Sequence, residues 1–249
     1  SPHRVFETRR FTIAEFKRIR SLVRGATVHD VVLAVCGGAL RRYLDANDEL
    51  PEQSLLALAP MSVRQGADEG SGAHELSWLR VSLATELADP VQRLRAIHAQ
   101  TSGSEAMGRA VGAREQSEAS SRGAAATLGR TAKLVARTLA RGRAPMAACS
   151  ITNVPGPQGP LYLCGARMSY FSAMLPISDG LGLAFAVTSY DGRIIISPTA
   201  CRELVPDPEA FAQCLRDSFQ ELLALAPAEA PVPAKRVRKA APVSRRKAA

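Results

Sequence analysis

Histidine, tryptophan and paired cysteine are scarce in this 249-residue chain, which holds four histidines, one tryptophan and five cysteines. The histidines stand apart at positions 3, 29, 74 and 98. No H-E-x-x-H, P-loop, G-x-G-x-x-G or G-x-S-x-G pattern occurs, so metalloprotease, phosphate-cradling and serine-hydrolase signatures are all missing. Cys36, Cys149, Cys164, Cys201 and Cys214 form no C-x-x-C pair and have no histidine at ligand spacing. Most lie in apolar surroundings and read as small core hydrophobes, with no metal ligand set among them. The longest uncharged apolar run, Val31 to Leu40, is ten residues, too short to span a bilayer. The chain opens on Ser1 with no basic-apolar-small leader, which fits a cytoplasmic piece or processed product of a longer protein.

What is present is enough for a sizeable core, since 46% of residues are hydrophobic. The net charge of +9 is uneven. Residues 227–249 hold seven basic side chains against Glu229, leaving +3 for the body. That division predicts one folded unit over 1–226 and a disordered Ala/Pro/Lys/Arg tail over 227–249. A nearly neutral body gives no basic groove for nucleic acid, while the tail has the charge to touch an anionic surface.

Two capping boxes open the helical part. Thr12 with Glu15 starts a helix expected to reach Arg24, and Thr27 with Asp30 starts a second that ends near Leu44. Strands are expected over 55–63, with Pro60 placing a bend or an edge there, and over 76–83, with Trp78, Val81 and Leu83 facing inward. A helix begins at Asp89-Pro90. The Ser/Ala/Gly stretch 101–125 reads as a loosely packed helix pair, and 128–139 as a basic amphipathic helix. Strands follow over 149–154 and 160–168, then a hairpin of 182–190 and 193–198 about Asp191-Gly192, and a closing helix over 207–225. The order implies an α/β fold, a mixed sheet with flanking helices.

The 27–44 helix is the most informative segment. Its body is almost wholly apolar, and its first turn carries two titratable groups, His29 and Asp30. Asp30 at the third helical position is stabilised by free N–H groups and the helix dipole. His29 beside it is the one candidate acid or base. Gly37-Gly38 inside the helix predicts close packing of a neighbour.

From Thr27 to Leu44 the chain resembles the bacterial wax ester synthase/acyl-CoA:diacylglycerol acyltransferase family around its Asn-Asp motif. The resemblance continues through 55–64, 82–90 with Arg93-Leu94, Thr152-Asn153-Val154-Pro155-Gly156-Pro157, 160–167, 189–193 and 205–208. It implies one lobe, the C-terminal half, of a chloramphenicol acetyltransferase-like two-lobe fold. The family's H-H-x-x-x-D-G motif lies in the other half and is missing here, so the resemblance implies no catalytic residue in this chain. It makes Asp30 and Asn153 site-shaping, substrate-facing residues. It also implies acyl-CoA as co-substrate, no permanent cofactor or metal, a diacylglycerol or long-chain alcohol as acceptor, an N-terminal lobe as partner, and peripheral contact with membrane or lipid droplets. His29 stands where the family has Asn, Ala73-His74 replaces a Gly-Asn pair, Ala184-Phe185 lacks the usual late-strand Asn, and Cys201 replaces an Asp. Two other readings compete. One is a silent lobe that binds acyl chains or pairs with a partner acyltransferase, and the other is a basic-tailed membrane or nucleic-acid adaptor.

Overall fold

A computed structural model describes residues 2–63, 75–115, 147–177 and 179–228. In chain order the elements are β1 (Arg4–Phe6), β2 (Arg9–Thr12), α1 (Ile13–Arg20), α2 (Val28–Asp45), β3 (Leu56–Val63), β4 (Glu75–Ser82) and α3 (Pro90–Glu115). After them come β5 (Cys149–Val154), β6 (Tyr162–Leu163), β7 (Ala166–Arg167), β8 (Leu183–Tyr190), β9 (Arg193–Cys201) and α4 (Pro208–Leu225).

Among the described residues one mixed sheet runs in the order β4-β3-β5-β8-β9, with β1 and β2 both paired to the outer edge of β9. β3, β5 and β8 are parallel, and every other pairing is antiparallel. The β8–β9 turn is the expected type I′, with Asp191 and Gly192 at φ 45° and 75°. β1 and β2 are additions to the sequence expectation. At three and four residues, with arginines in both, they are too short and charged to show alternation, and only β9 makes them strands.

The helices cover one face of the sheet. α2 is the central one, and every residue from Asp30 to Leu40 is buried. The other helices close round it because Gly37 and Gly38 leave no side chain in the way. A Cβ on Gly37 would stand 2.6 Å from the Leu83 carbonyl oxygen, and one on Gly38 would run into Ser218 of α4 and Arg93 of α3. Phe11, Phe16 and Phe219 form an aromatic triad beside it, with ring centroids 4.4–5.9 Å apart. On the opposite face the segment after β7 covers β8: Thr188 Oγ1 donates to the Phe171 carbonyl at 3.2 Å, and the Tyr190 and Phe171 rings lie 6.0 Å apart. β8 is therefore buried on both sides.

Three expectations are corrected. α1 ends at Arg20, because the N–H groups of Ser21, Leu22 and Val23 turn back three residues to Arg18, Ile19 and Arg20 and tighten the chain out of the α-helix. α3 runs unbroken to Glu115 where a loose pair was expected from 101. Ser102 turns its hydroxyl back to the His98 carbonyl at 2.7 Å and so is satisfied within the helix. The expected strand over 160–168 is a small hairpin, folded by left-handed Cys164 and Gly165 at φ 49° and 81°. Val81 and Leu83 face inward as expected. The amphipathic 128–139 segment and the tail from 229 lie outside the described residues.

Candidate functional site

α2 runs against the direction of the parallel strands. Arg41, near its C-terminal end, donates to the Thr85 carbonyl at 2.7 Å, just past β4. That is also the level at which β3 begins, since Leu83 N–H bonds the Leu55 carbonyl. The first turn of α2 therefore points toward the carboxyl ends of β3, β5 and β8, the end where open α/β sheets receive ligands. The same end is split. β3 and β5 pair only through Ala57–Cys149 and Leu58–Ser150. Beyond that β3 continues with β4 to Val63 and β5 with β8 to Val154. Pro60, with no N–H to donate, stands two residues past the last pair. Asn153 sits on the open side of this split, exposed, in register with Val187 of β8.

Asp30 is 1% exposed, and both its oxygens are occupied. Oδ2 accepts from the Thr27 N–H at 2.7 Å, while the Asp30 N–H donates to Thr27 Oγ1 at 3.1 Å, completing the expected capping box. Oδ2 also lies 3.0 Å from His98 Nδ1, and Oδ1 accepts from Thr101 Oγ1 at 2.7 Å. Burial pushes the Asp30 carboxyl up, but the hydrogen bonds from Thr101, Thr27 and His98 outweigh it and hold the group below its ordinary value. An ionised carboxylate only accepts, so the proton of the His98 ring is on Nδ1. Nε2 faces Gly25, where a Cβ would stand 3.1 Å away. Gly25 itself is left-handed at φ 87°, so glycine there serves both the turn into α2 and the approach of the ring.

The structure thus joins one histidine that looked isolated, His98, to Asp30, and leaves His29 half-buried beside them on the same turn. Asn153 makes no side-chain hydrogen bond among the described residues and does not touch the Asp30 cluster. His98 and Thr101 escaped sequence reasoning. The only available signal was their three-residue spacing on one helix, with nothing to connect it to a position 68 residues earlier.

Arg93 is a second buried charge, 2% exposed. Its Nη2 donates to the Leu87 and Ala88 carbonyls at 2.7 and 3.2 Å, and burial lowers its pKa. Its Nε and Nη1, with Ser218 Oγ and Thr199 Oγ1, are buried with no hydrogen-bond partner among the described residues. Cys36 and Cys149 are buried thiols pushed upward by desolvation, Cys149 to about 12, whereas Cys164 is exposed. No three His, Cys, Asp or Glu among the described residues are placed to hold a metal ion. No described helix is long and apolar enough to cross a membrane.

A family model described as the WS/DGAT C-terminal domain matches residues 75–223. A Mycobacterium tuberculosis H37Rv protein provisionally named a diacylglycerol O-acyltransferase is 39% identical over 188 residues, 73% of this chain and 36% of its own. Another from the same strain is 32% identical over 227 residues, 90% of this chain and 44% of its own. The solved wax ester synthase/diacylglycerol acyltransferase of Marinobacter aquaeolei VT8 superposes with a TM-score of 0.67 at 27% identity, covering 89% of this chain and 49% of that one. A dihydrolipoamide acetyltransferase of Listeria monocytogenes, at 10% identity and a TM-score of 0.52, shares the fold alone. This chain spans less than half the length of the curated relatives it matches. On the family model and the relatives' identity, it belongs to the WS/DGAT C-terminal domain family.

Proposed function

We propose that this chain is the C-terminal lobe of an acyl-CoA-dependent O-acyltransferase that esterifies diacylglycerol or a long-chain alcohol. The observation that carries the reading is one end of the sheet, where the capped start of α2 and the Asn153-bearing end of β5 flank a split between parallel strands. It is one wall of a cleft, in which Asp30 is buried against His98 and structural, and a second wall is needed to enclose a substrate.

In the reaction the acceptor hydroxyl adds to the thioester carbonyl carbon, its proton passes to a base, and the C–S bond breaks to release CoA thiol. The base comes from a lobe bearing the H-H-x-x-x-D-G motif, in the same polypeptide or a neighbouring one. Asp30 shapes the site from behind by fixing the first turn of α2 against α3. The Asn153 amide is the group positioned to donate a hydrogen bond to the acyl carbonyl or to the acceptor oxygen. Peripheral contact with membrane or lipid droplets would bring the apolar acceptor to the cleft.

The test pairs this chain with such a lobe and follows labelled acyl-CoA into triacylglycerol and wax ester. Neither half alone should turn over, and the pair should. Turnover by neither the pair nor a single-chain fusion sinks the enzyme reading and leaves the silent acyl-binding lobe.

A further inference from the structure

Large apolar side chains left in solvent are concentrated on one piece of this chain. Eight are exposed among the described residues, and Val154, Leu161, Tyr162, Leu163, Tyr170 and Met174 all lie between the end of β5 and the start of β8. The centre of the group is the β6–β7 ribbon. Neighbours on a strand point to opposite faces, so Tyr162 and Leu163 sample both faces of the ribbon. They are 62% and 78% exposed, and neither face is covered. Its tip is a left-handed pair, Cys164-Gly165, and nothing lies within 4 Å of the place a Gly165 Cβ would take.

The ribbon is nevertheless tied firmly at its base. Tyr190 Oη accepts from the Leu161 N–H at 2.7 Å and donates to the Met168 carbonyl at 3.0 Å, gripping both strands at once. Met168 N–H bonds the Leu161 carbonyl, and Arg167 pairs with Asp191 at 2.6 Å. The Arg10 guanidinium lies 4.7 Å over the Tyr170 ring as the chain returns. A two-stranded ribbon is marginal alone, and these contacts hold it out from the body with its apolar surface bare. Tyr190 and Asp191 stand at the carboxyl end of β8, so the ribbon rises beside the same split that exposes Asn153.

Bare apolar surface of this kind marks an interaction site. The occupant is indicated by charge and by length. Arg167, paired with Asp191, is the ribbon's only charged residue and Arg10 stands over Tyr170, which falls short of the cluster of basic residues that draws a segment to an anionic lipid surface. The chain covers 36% and 44% of its mycobacterial relatives and 49% of the Marinobacter enzyme, so more than half of each lies outside the matched part. We infer that the 161–167 ribbon is a docking arm that seats this chain on a second acyltransferase lobe, an assignment that rests on the two-lobe reading above.

Cys164 at the tip is an exposed thiol and reports on the arm directly, whereas Cys36 and Cys149 are buried. The full chain is labelled with a maleimide alone and after co-expression with the part of the 32%-identical M. tuberculosis relative that it does not match. The two should co-purify, and Cys164 should label at least about tenfold more slowly in the pair. Leu163→Asp should weaken the pair by about tenfold or more, while Leu225→Asp, at an exposed site on α4, should not. If the added half does not fold alone, the same rates are compared in a fusion that places it ahead of Ser1. Unchanged Cys164 labelling, or a pair indifferent to Leu163→Asp, overturns the assignment. So does protection that rises with the concentration of the chain alone, which would mean self-association, or protection by phosphatidylcholine vesicles, which would mean lipid. Pairing without acyl transfer leaves the arm standing and sinks the enzyme reading; acyl transfer untouched by Leu163→Asp does the reverse.

Discussion

A carboxylate as buried as Asp30 stays ionised only because three donors, one each from Thr27, His98 and Thr101, and its own helix geometry supply what water would. Asp30→Asn puts an amide N–H against those donors and should cost about 1–3 kcal/mol of stability. In a working two-lobe enzyme, turnover per folded molecule should fall less than stability does; unchanged thermal stability with greatly reduced turnover would show the residue to be chemical. The pH dependence has a definite sign. The carboxyl is held below its ordinary 3.8 in the folded chain, so the unfolded chain binds the proton first as pH falls. Its contribution is complete above the unfolded value and drains away as pH drops through the lower folded one. Urea midpoints taken from neutral pH down through about pH 4 and below should therefore fall more steeply for the native chain than for Asp30→Asn.

Elements were legible in proportion to how much of their cause is local. α2 shows in the sequence because its capping box and its apolar body are both contiguous, and the β8–β9 hairpin because Asp191-Gly192 defines its own turn. β1 and β2 do not show, since their strand character is borrowed from β9. The 160–168 hairpin was hidden because Cys164, an unusual residue for a left-handed position, gave no turn signal. Close packing around α2 was readable from Gly37-Gly38, and it can be tested as a pair. Gly38→Ala should destabilise by about 1–3 kcal/mol through the clash with Ser218 and Arg93, and Ser218→Ala should restore part of the loss in a double-mutant cycle of denaturation midpoints. The ribbon depends on one hydroxyl: Tyr190→Phe should speed exchange of the Leu161 amide while costing the whole fold only about 1–2 kcal/mol. Equal protection of that amide in both proteins would show that other contacts hold the ribbon.

At the scale of the whole molecule, the family and the mixed α/β layer were legible from short motifs arriving in order, whereas the Asp30–His98–Thr101 contact was not, because it exists only once α3 has folded back along α2. The sheet adds a constraint of time. Thr8 bonds Ser197 across 189 residues of sequence, and β1 and β2 have no strand partner but β9 among the described residues. At a synthesis rate of about 5–20 residues per second, the strands at the start of this chain wait roughly 10–40 s for the one that completes them. During that interval Val5 and Phe11, both core residues of the finished protein, lack β9, and Phe11 also lacks the Phe219 ring that packs on it. A nascent chain halted before Arg193 should thus carry a β1–β2 segment open to proteases and chaperones, which becomes resistant only when β9 is made.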